Sequence, residues 1–145
     1  MVYFLQKITK HLLVIKKGLF LVVVAYTIVL VTVTFIDIDG VPKLGSSFDD
    51  KIFHVLAYVG LGFLWVTYYK IVKPNKSLWY IFLVLLSFGI FLELVQHQIN
   101  PNRTFDLVDL LSNCFGVVLG TIVAKYSNIF KLNMFKALFI LFIIN

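Results

Sequence analysis

Four apolar runs, each near membrane-spanning length and joined by short polar links, leave this chain few folds other than a bundle of membrane helices. The runs cover residues 18–36, 52–72, 78–96 and 107–124. A span needs roughly 20 apolar residues. Links this short make successive helices antiparallel. Composition speaks against a soluble alternative: 61% of the residues are hydrophobic, 14% are charged, and the mean hydropathy is +0.97. So few charges cannot coat a soluble domain. The expected fold is all-α: a four-helix transmembrane bundle over residues 18–125, with interfacial helical segments at 1–17 and 126–145. The first run has a basic flank, as a signal peptide does. It is longer than a typical signal-peptide core and no Ala-x-Ala site follows, so it reads as an uncleaved first helix.

The net charge of +6 raises the question of nucleic acid, but no such binding motif is present. The basic residues lie beside the apolar runs, as topology signals and contacts to anionic headgroups. Ten of the thirteen Lys and Arg are Lys7, Lys10, Lys16, Lys17, Lys70, Lys73, Lys76, Lys125, Lys131 and Lys136. They fall in the two tails and the middle link. Lys43, Lys51 and Arg103 fall in the other two links. The positive-inside rule then puts both termini and the middle link in the cytoplasm. Trp65, Tyr68, Tyr69, Trp79 and Tyr80 flank that link and suit an inner aromatic belt. Within residues 1–17, Phe4, Leu5, Ile8, Leu12 and Ile15 form one stripe, and Lys7, Lys10, His11 and Lys17 form the opposite one. That is the pattern of a helix lying on an anionic leaflet. Residues 134–144 are apolar apart from Lys136 and too few to span, which suits an interfacial or bundle-packed tail.

All seven acids, Asp37, Asp39, Asp49, Asp50, Glu93, Asp106 and Asp109, fall in the outer links or outer helix ends. Orientation rules do not place acids, so their clustering needs another cause. Helical spacing supplies one. Asp50 and His54 share a face, and Tyr58 continues it one turn deeper. Glu93, Gln96 and His97 share a face of the third run. Asp106, Asp109, Asn113, Gly116 and Gly120 form a single stripe on the fourth, polar at its outer end and small further in. Gly116 and Gly120 make a small-xxx-small pair fit for close helix packing. Arg103 lies beside this layer. Three helices therefore turn polar faces inward at one depth, forming an acidic cavity open to the outer face. Glu93 is about one turn inside the boundary, where an ionisable side chain is costly and marks function.

Each residue has a functional and a plainer reading. His54 is a general acid or base helped by Asp50, or a helix-start histidine bonded to its neighbour. Glu93 is an acid/base group, or pairs with Arg103 or Lys51 as interhelical glue; Gln96 reads as glue. Arg103 clamps an anionic headgroup with its planar fork, or pairs with Asp106 or Asp109. Asp106 reads as the N-cap of the fourth helix, with Asp109 near N3. Asp109 and Asn113, lying deeper, read as site residues. No cofactor motif, zinc signature or phosphate loop is present. Asp37-Ile38-Asp39-Gly40 lacks the downstream ligands of a calcium loop, and no metal site is assigned. The single cysteine, Cys114, permits no internal disulfide and reads as a small buried hydrophobe.

The stretch Asp50-Lys51-Ile52-Phe53-His54-Val55-Leu56-Ala57-Tyr58-Val59-Gly60-Leu61 resembles the second-helix motif of the VanZ-like membrane proteins. Glu93-Leu94-Val95-Gln96, with Arg103, Asp106, Asp109, Asn113, Gly116 and Gly120, resembles their second motif. The resemblance covers residues 30–125. It implies a four-helix protein of the bacterial cytoplasmic membrane, in a family whose founding member is linked to resistance to the glycopeptide teicoplanin. Three functions follow in order. The first is binding of an anionic lipid-linked ligand or cell-wall precursor at the outer face. There Lys51 and Arg103 would meet phosphate or carboxylate, with Asp50, Tyr58, Gln96, Asp106 and Asn113 around them. The second is an intramembrane hydrolase or transferase acting on a phospholipid or polyprenyl phosphate, with His54, Glu93 and Asp109 moving protons and Arg103 stabilising charge. The third is a structural or partner-binding bundle whose polar layer fixes helix register. The partners expected are membrane lipids, with no nucleic acid.

Overall fold

The computed structural model describes residues 2–35, 49–99 and 106–127. Four helices make up these segments: α1 (Val2–Phe35), α2 (Asp49–Val72), α3 (Trp79–Ile99) and α4 (Leu107–Tyr126). All four are long and apolar enough to cross a membrane. Most of the tail over residues 126–145, most of the first link and Arg103 lie outside the described residues, as do the side chains of His11, Asp50 and His97.

The basic N-terminal segment and the first apolar run form one unbroken helix of 34 residues, where two elements were expected. Nothing between them stops a helix. The sole candidate breaker is Gly18, and a glycine within good helix formers costs only about 1 kcal/mol. At 1.5 Å per residue such a helix is about 50 Å long, well beyond a hydrocarbon core of roughly 30 Å. The membrane-length part is Leu12–Phe35.

Local chemistry sets the other ends. Pro74 disfavours helix at Lys73, and α2 stops at Val72. The Lys76 amide closes a turn on the Lys73 carbonyl at 3.1 Å, and Ser77 Oγ accepts the Trp79 amide at 3.3 Å as α3 begins. Asp106 caps α4, its carboxylate accepting the Val108 amide at 2.8 Å, as the sequence led us to expect.

The helices run up and down. The C-terminal ends of α1 and α3 meet the N-terminal ends of α2 and α4, as hydrogen bonds among Thr34, His54, Glu93, Gln96 and Asn113 show. The parallel pair α2 and α4 forms the tight centre. A Cβ on Gly116 would lie 2.6 Å from the Val55 carbonyl oxygen and 2.7 Å from Tyr58 Cβ, and one on Gly62 would lie 2.9 Å from the Val117 carbonyl oxygen. A Cβ on Gly120 would overlap the Val59 carbonyl. Three glycines thus let two backbones touch, a contact available only to residues without side chains. Leu61, Val66, Val117 and Ala124 fill the space along this seam.

The α1 helix packs beside α2 through Val23 and Leu30, with Tyr26 donating to the Ala57 carbonyl at 2.8 Å. Trp65 donates to Thr27 at 3.0 Å. That makes Trp65 a helix-packing residue, whereas Trp79 and Tyr80 beside the middle link are largely exposed. Large apolar side chains such as Leu21, Ile28, Phe53, Leu83, Phe91 and Phe115 point away from the bundle. An outer surface built this way is disfavoured in water and suited to lipid.

Candidate functional site

A cluster of polar side chains lies at the end of the bundle where α2 and α4 begin. At its rim, Lys51 sits one turn into α2, facing the first turn of α4. Its ammonium pairs with Asp106 at 3.0 Å and Asp109 at 3.4 Å. The expected partnership of Lys51 with Glu93 gives way to this one. The reason is register: α2 and α4 are parallel neighbours, so Lys51 meets the residues at the same height on α4. The Val108 amide, and after it the Lys51 ammonium, holds the Asp106 carboxyl below the ordinary aspartate range. Among the described residues, two carboxylates share one ammonium at this rim.

Deeper in, His54 stands on α2 one turn below Lys51. Its Nδ1 is 2.9 Å from Asn113 Oδ1. Asn113 is almost wholly enclosed, and its amide Nδ2 donates to Glu93 Oε2 at 3.4 Å. Glu93 is itself only 5% exposed. A continuous chain His54–Asn113–Glu93 therefore crosses α2, α4 and α3. One turn further out on α3, Gln96 donates to the Thr34 carbonyl at 2.8 Å and ties α3 to α1. That is the glue role read from the sequence. Arg103, and with it the expected Glu93–Arg103 pair, lies outside the described residues, as does the Asp50 side chain expected to help His54.

Tyr58 forms the floor. Its ring passes between α3 and α4, and a Cβ on Gly89 would lie 3.0 Å from Tyr58 Cε1. Gly116 makes the corresponding room on α4, so Tyr58 is cradled by two glycines. Of these the sequence singled out only Gly116. Gly89 is an isolated glycine in an apolar helix, and that interruption was the available signal. Ser112 was also missed: it is buried at the start of α4 and faces a groove on the outside of the layer. This groove, about 420 Å³, is lined by Lys51, Ile52, Val55, Leu56 and Ser112. Its lining is almost wholly apolar, with Lys51 and Ser112 among the residues around it. Among the described residues no group of three or more His, Cys, Asp or Glu stands where it could hold a metal ion.

Searches against family models, curated proteins and solved structures return no match. The site is thus interpreted from its own geometry.

The opposite end of the bundle holds a residue that sequence reasoning treated only as a topology signal. Lys70 donates to the carbonyls of Ala124 at 2.6 Å, Lys125 at 3.0 Å and Ser127 at 3.2 Å. It caps the C-terminus of α4, where a cation also meets the negative end of the helix dipole. Lys51 and Lys70 thus tie α2 to α4 at both ends.

Proposed function

We propose that this chain is a VanZ-like, four-span protein of the bacterial cytoplasmic membrane. In this reading both termini are cytoplasmic and the polar layer opens to the outer face, where it binds an anionic lipid-linked ligand and contributes to tolerance of glycopeptides such as teicoplanin. One observation carries the proposal: an apolar groove on α2 has Lys51 among its lining residues, beside a polar layer to which four helices contribute. A lipid has that pattern, an apolar chain with a phosphate at one end. Asp106 is the competitor such a phosphate must displace. The Lys51–Asp106 pair is partly exposed, with side chains 25% and 39% accessible. An ion pair that water reaches contributes little net stability. Exchanging Asp106 for a phosphate at Lys51 therefore costs little, while the more enclosed Asp109 stays in place.

The resemblance over residues 50–61 and 93–120 supports the family and the compartment, and the distribution of Lys and Arg supports the orientation. The His54–Asn113–Glu93 chain favours a second reading, acid/base chemistry on the same lipid-linked ligand by an intramembrane hydrolase or transferase.

The test is binding of a polyprenyl phosphate by the purified chain, with uncharged diacylglycerol for comparison. Saturable binding of the phosphate lipid is expected. It should weaken at least tenfold in Lys51→Gln, which loses the cation, and in Val55→Trp, which fills the groove. Equal binding of both lipids, or none, would overturn the proposal.

A further inference from the structure

The buried chain His54–Asn113–Glu93 has a direction. An ionised carboxylate only accepts hydrogen bonds, whereas a primary amide has one accepting end and one donating end. Asn113 turns its donating end to Glu93, with Nδ2 3.4 Å from Oε2. Its oxygen is thereby committed to the other side, 2.9 Å from His54 Nδ1. Two acceptors at that separation repel, so Nδ1 must carry the hydrogen. A neutral imidazole has one N–H, and its lone pair is then on Nε2. When the ring gains a second proton, that proton goes to Nε2.

We infer that Asn113 is a positioning residue: held by the Glu93 carboxylate, it keeps a proton on His54 Nδ1 and makes Nε2 the nitrogen that exchanges protons. Histidine in water prefers the opposite tautomer, so the preference here is imposed by the fold. Asn113 is 1% exposed, and its helix is fixed against α2 by Gly116 one turn below, so the amide cannot swing out to a water. The charged groups near the ring include Glu93 from α3, Lys51 from α2, and Asp106 and Asp109 from α4, and Tyr58 stands on the same face of α2. A neutral Glu93 can still accept from Asn113 through its carbonyl oxygen, but its hydroxyl can instead donate to the Asn113 oxygen. The amide then turns to donate to Nδ1, and the hydrogen moves to Nε2. A single Nδ1–H tautomer is therefore the mark of an ionised Glu93. Only the consequence for a ligand, that it meets His54 through Nε2, rests on the ligand-binding reading above.

Nitrogen-15 spectra of the full chain, labelled at histidine and held in lipid nanodiscs without added ligand, test the assignment. The sequence has three histidines, and His54 is identified by the signal lost in His54→Gln. We expect Nδ1 to stay protonated across the titration, with Nε2 changing state. In Asn113→Leu the proton should move to Nε2 in the neutral ring. Glu93→Gln, which preserves size and hydrogen-bonding capacity, should give a mixture of tautomers. This second variant decides the matter if Asn113→Leu does not fold. A neutral wild-type ring protonated at Nε2, or a tautomer unchanged in Glu93→Gln, would overturn the inference. Because no polyprenyl phosphate is added, a failure here is separate from a failure of ligand binding.

Discussion

Gly116→Ala adds a single methyl group at a place where the fold has no room for one. The new Cβ would lie 2.6 Å from the Val55 carbonyl oxygen, 2.7 Å from Tyr58 Cβ and 3.1 Å from the Val59 amide nitrogen. Two of these are backbone atoms, which no rotamer change can move. Ordinary contact begins at 3.4 Å, so α2 and α4 must part locally by about 0.8 Å. Overpacking of this kind costs about 1–3 kcal/mol. The polar layer is one turn away. His54 and Asn113 are 2.9 Å apart, and a shift of that size takes them out of hydrogen-bonding range. The expected result is thus double: a lower apparent Tm in detergent, read by tryptophan fluorescence, and loss of the Nδ1–H tautomer of His54. Gly18→Ala is the control. Nothing lies within 4 Å of its Cβ, and replacing an exposed helical glycine by alanine gains up to about 1 kcal/mol. If Gly116→Ala melts with or above the wild type, α2 and α4 are not held in backbone contact and the account of the seam is wrong. The same conclusion follows if Gly18→Ala is equally damaging.

Two further predictions concern the lysine ties. The carboxyl of Asp106 lies below its ordinary range in the folded chain, so its charge stabilises the fold above the unfolded pKa and that contribution is lost as pH falls through the folded one. Asp106→Asn keeps the cap and removes the charge. Its Tm should fall below that of the wild type at neutral pH, and the gap should close on acidification; a gap that is constant with pH would refute the assignment. At the other end, Lys70→Met removes an ammonium that serves three carbonyls of the α4 terminus. Hydrogen bonds to charged groups contribute about 1.5–3 kcal/mol, so thermal melting should show a clear loss and amide exchange should accelerate first at residues 123–127; unchanged exchange there would mean that Lys70 caps nothing.

Local features were legible in the sequence and partner choice was not. The four apolar runs, the Asp106 cap and the Gly116–Gly120 pair each follow from residues within a few positions of one another. The pairing of Lys51 with Asp106 and Asp109 spans 55 and 58 positions. It depends on α2 and α4 being parallel neighbours, which helical periodicity does not state. Glu93 was read as an acid/base group or as glue to Arg103 or Lys51; the structure adds the Asn113 amide, because Asn113 is the α4 residue at its height. Lys70 was hidden for the opposite reason. A lysine beside a basic link fits the positive-inside rule so well that nothing called for a second role. The unbroken α1 escaped because a change from an amphipathic to a uniformly apolar pattern alters the environment a helix suits without supplying a helix stop.

These pieces have one mechanical consequence. The glycine seam fixes the α2–α4 distance independently of any charge, and Lys70 holds the far end. A ligand that drew Lys51 away from Asp106 would therefore release one tie of a pair already fixed elsewhere. The His54–Asn113 distance is set by the seam, so it should persist while the rim rearranges. A site with that division can exchange partners at its mouth without losing its interior geometry. Acid/base chemistry at His54 would require that property of any lipid-binding rim, and a purely register-fixing polar layer would have no use for it.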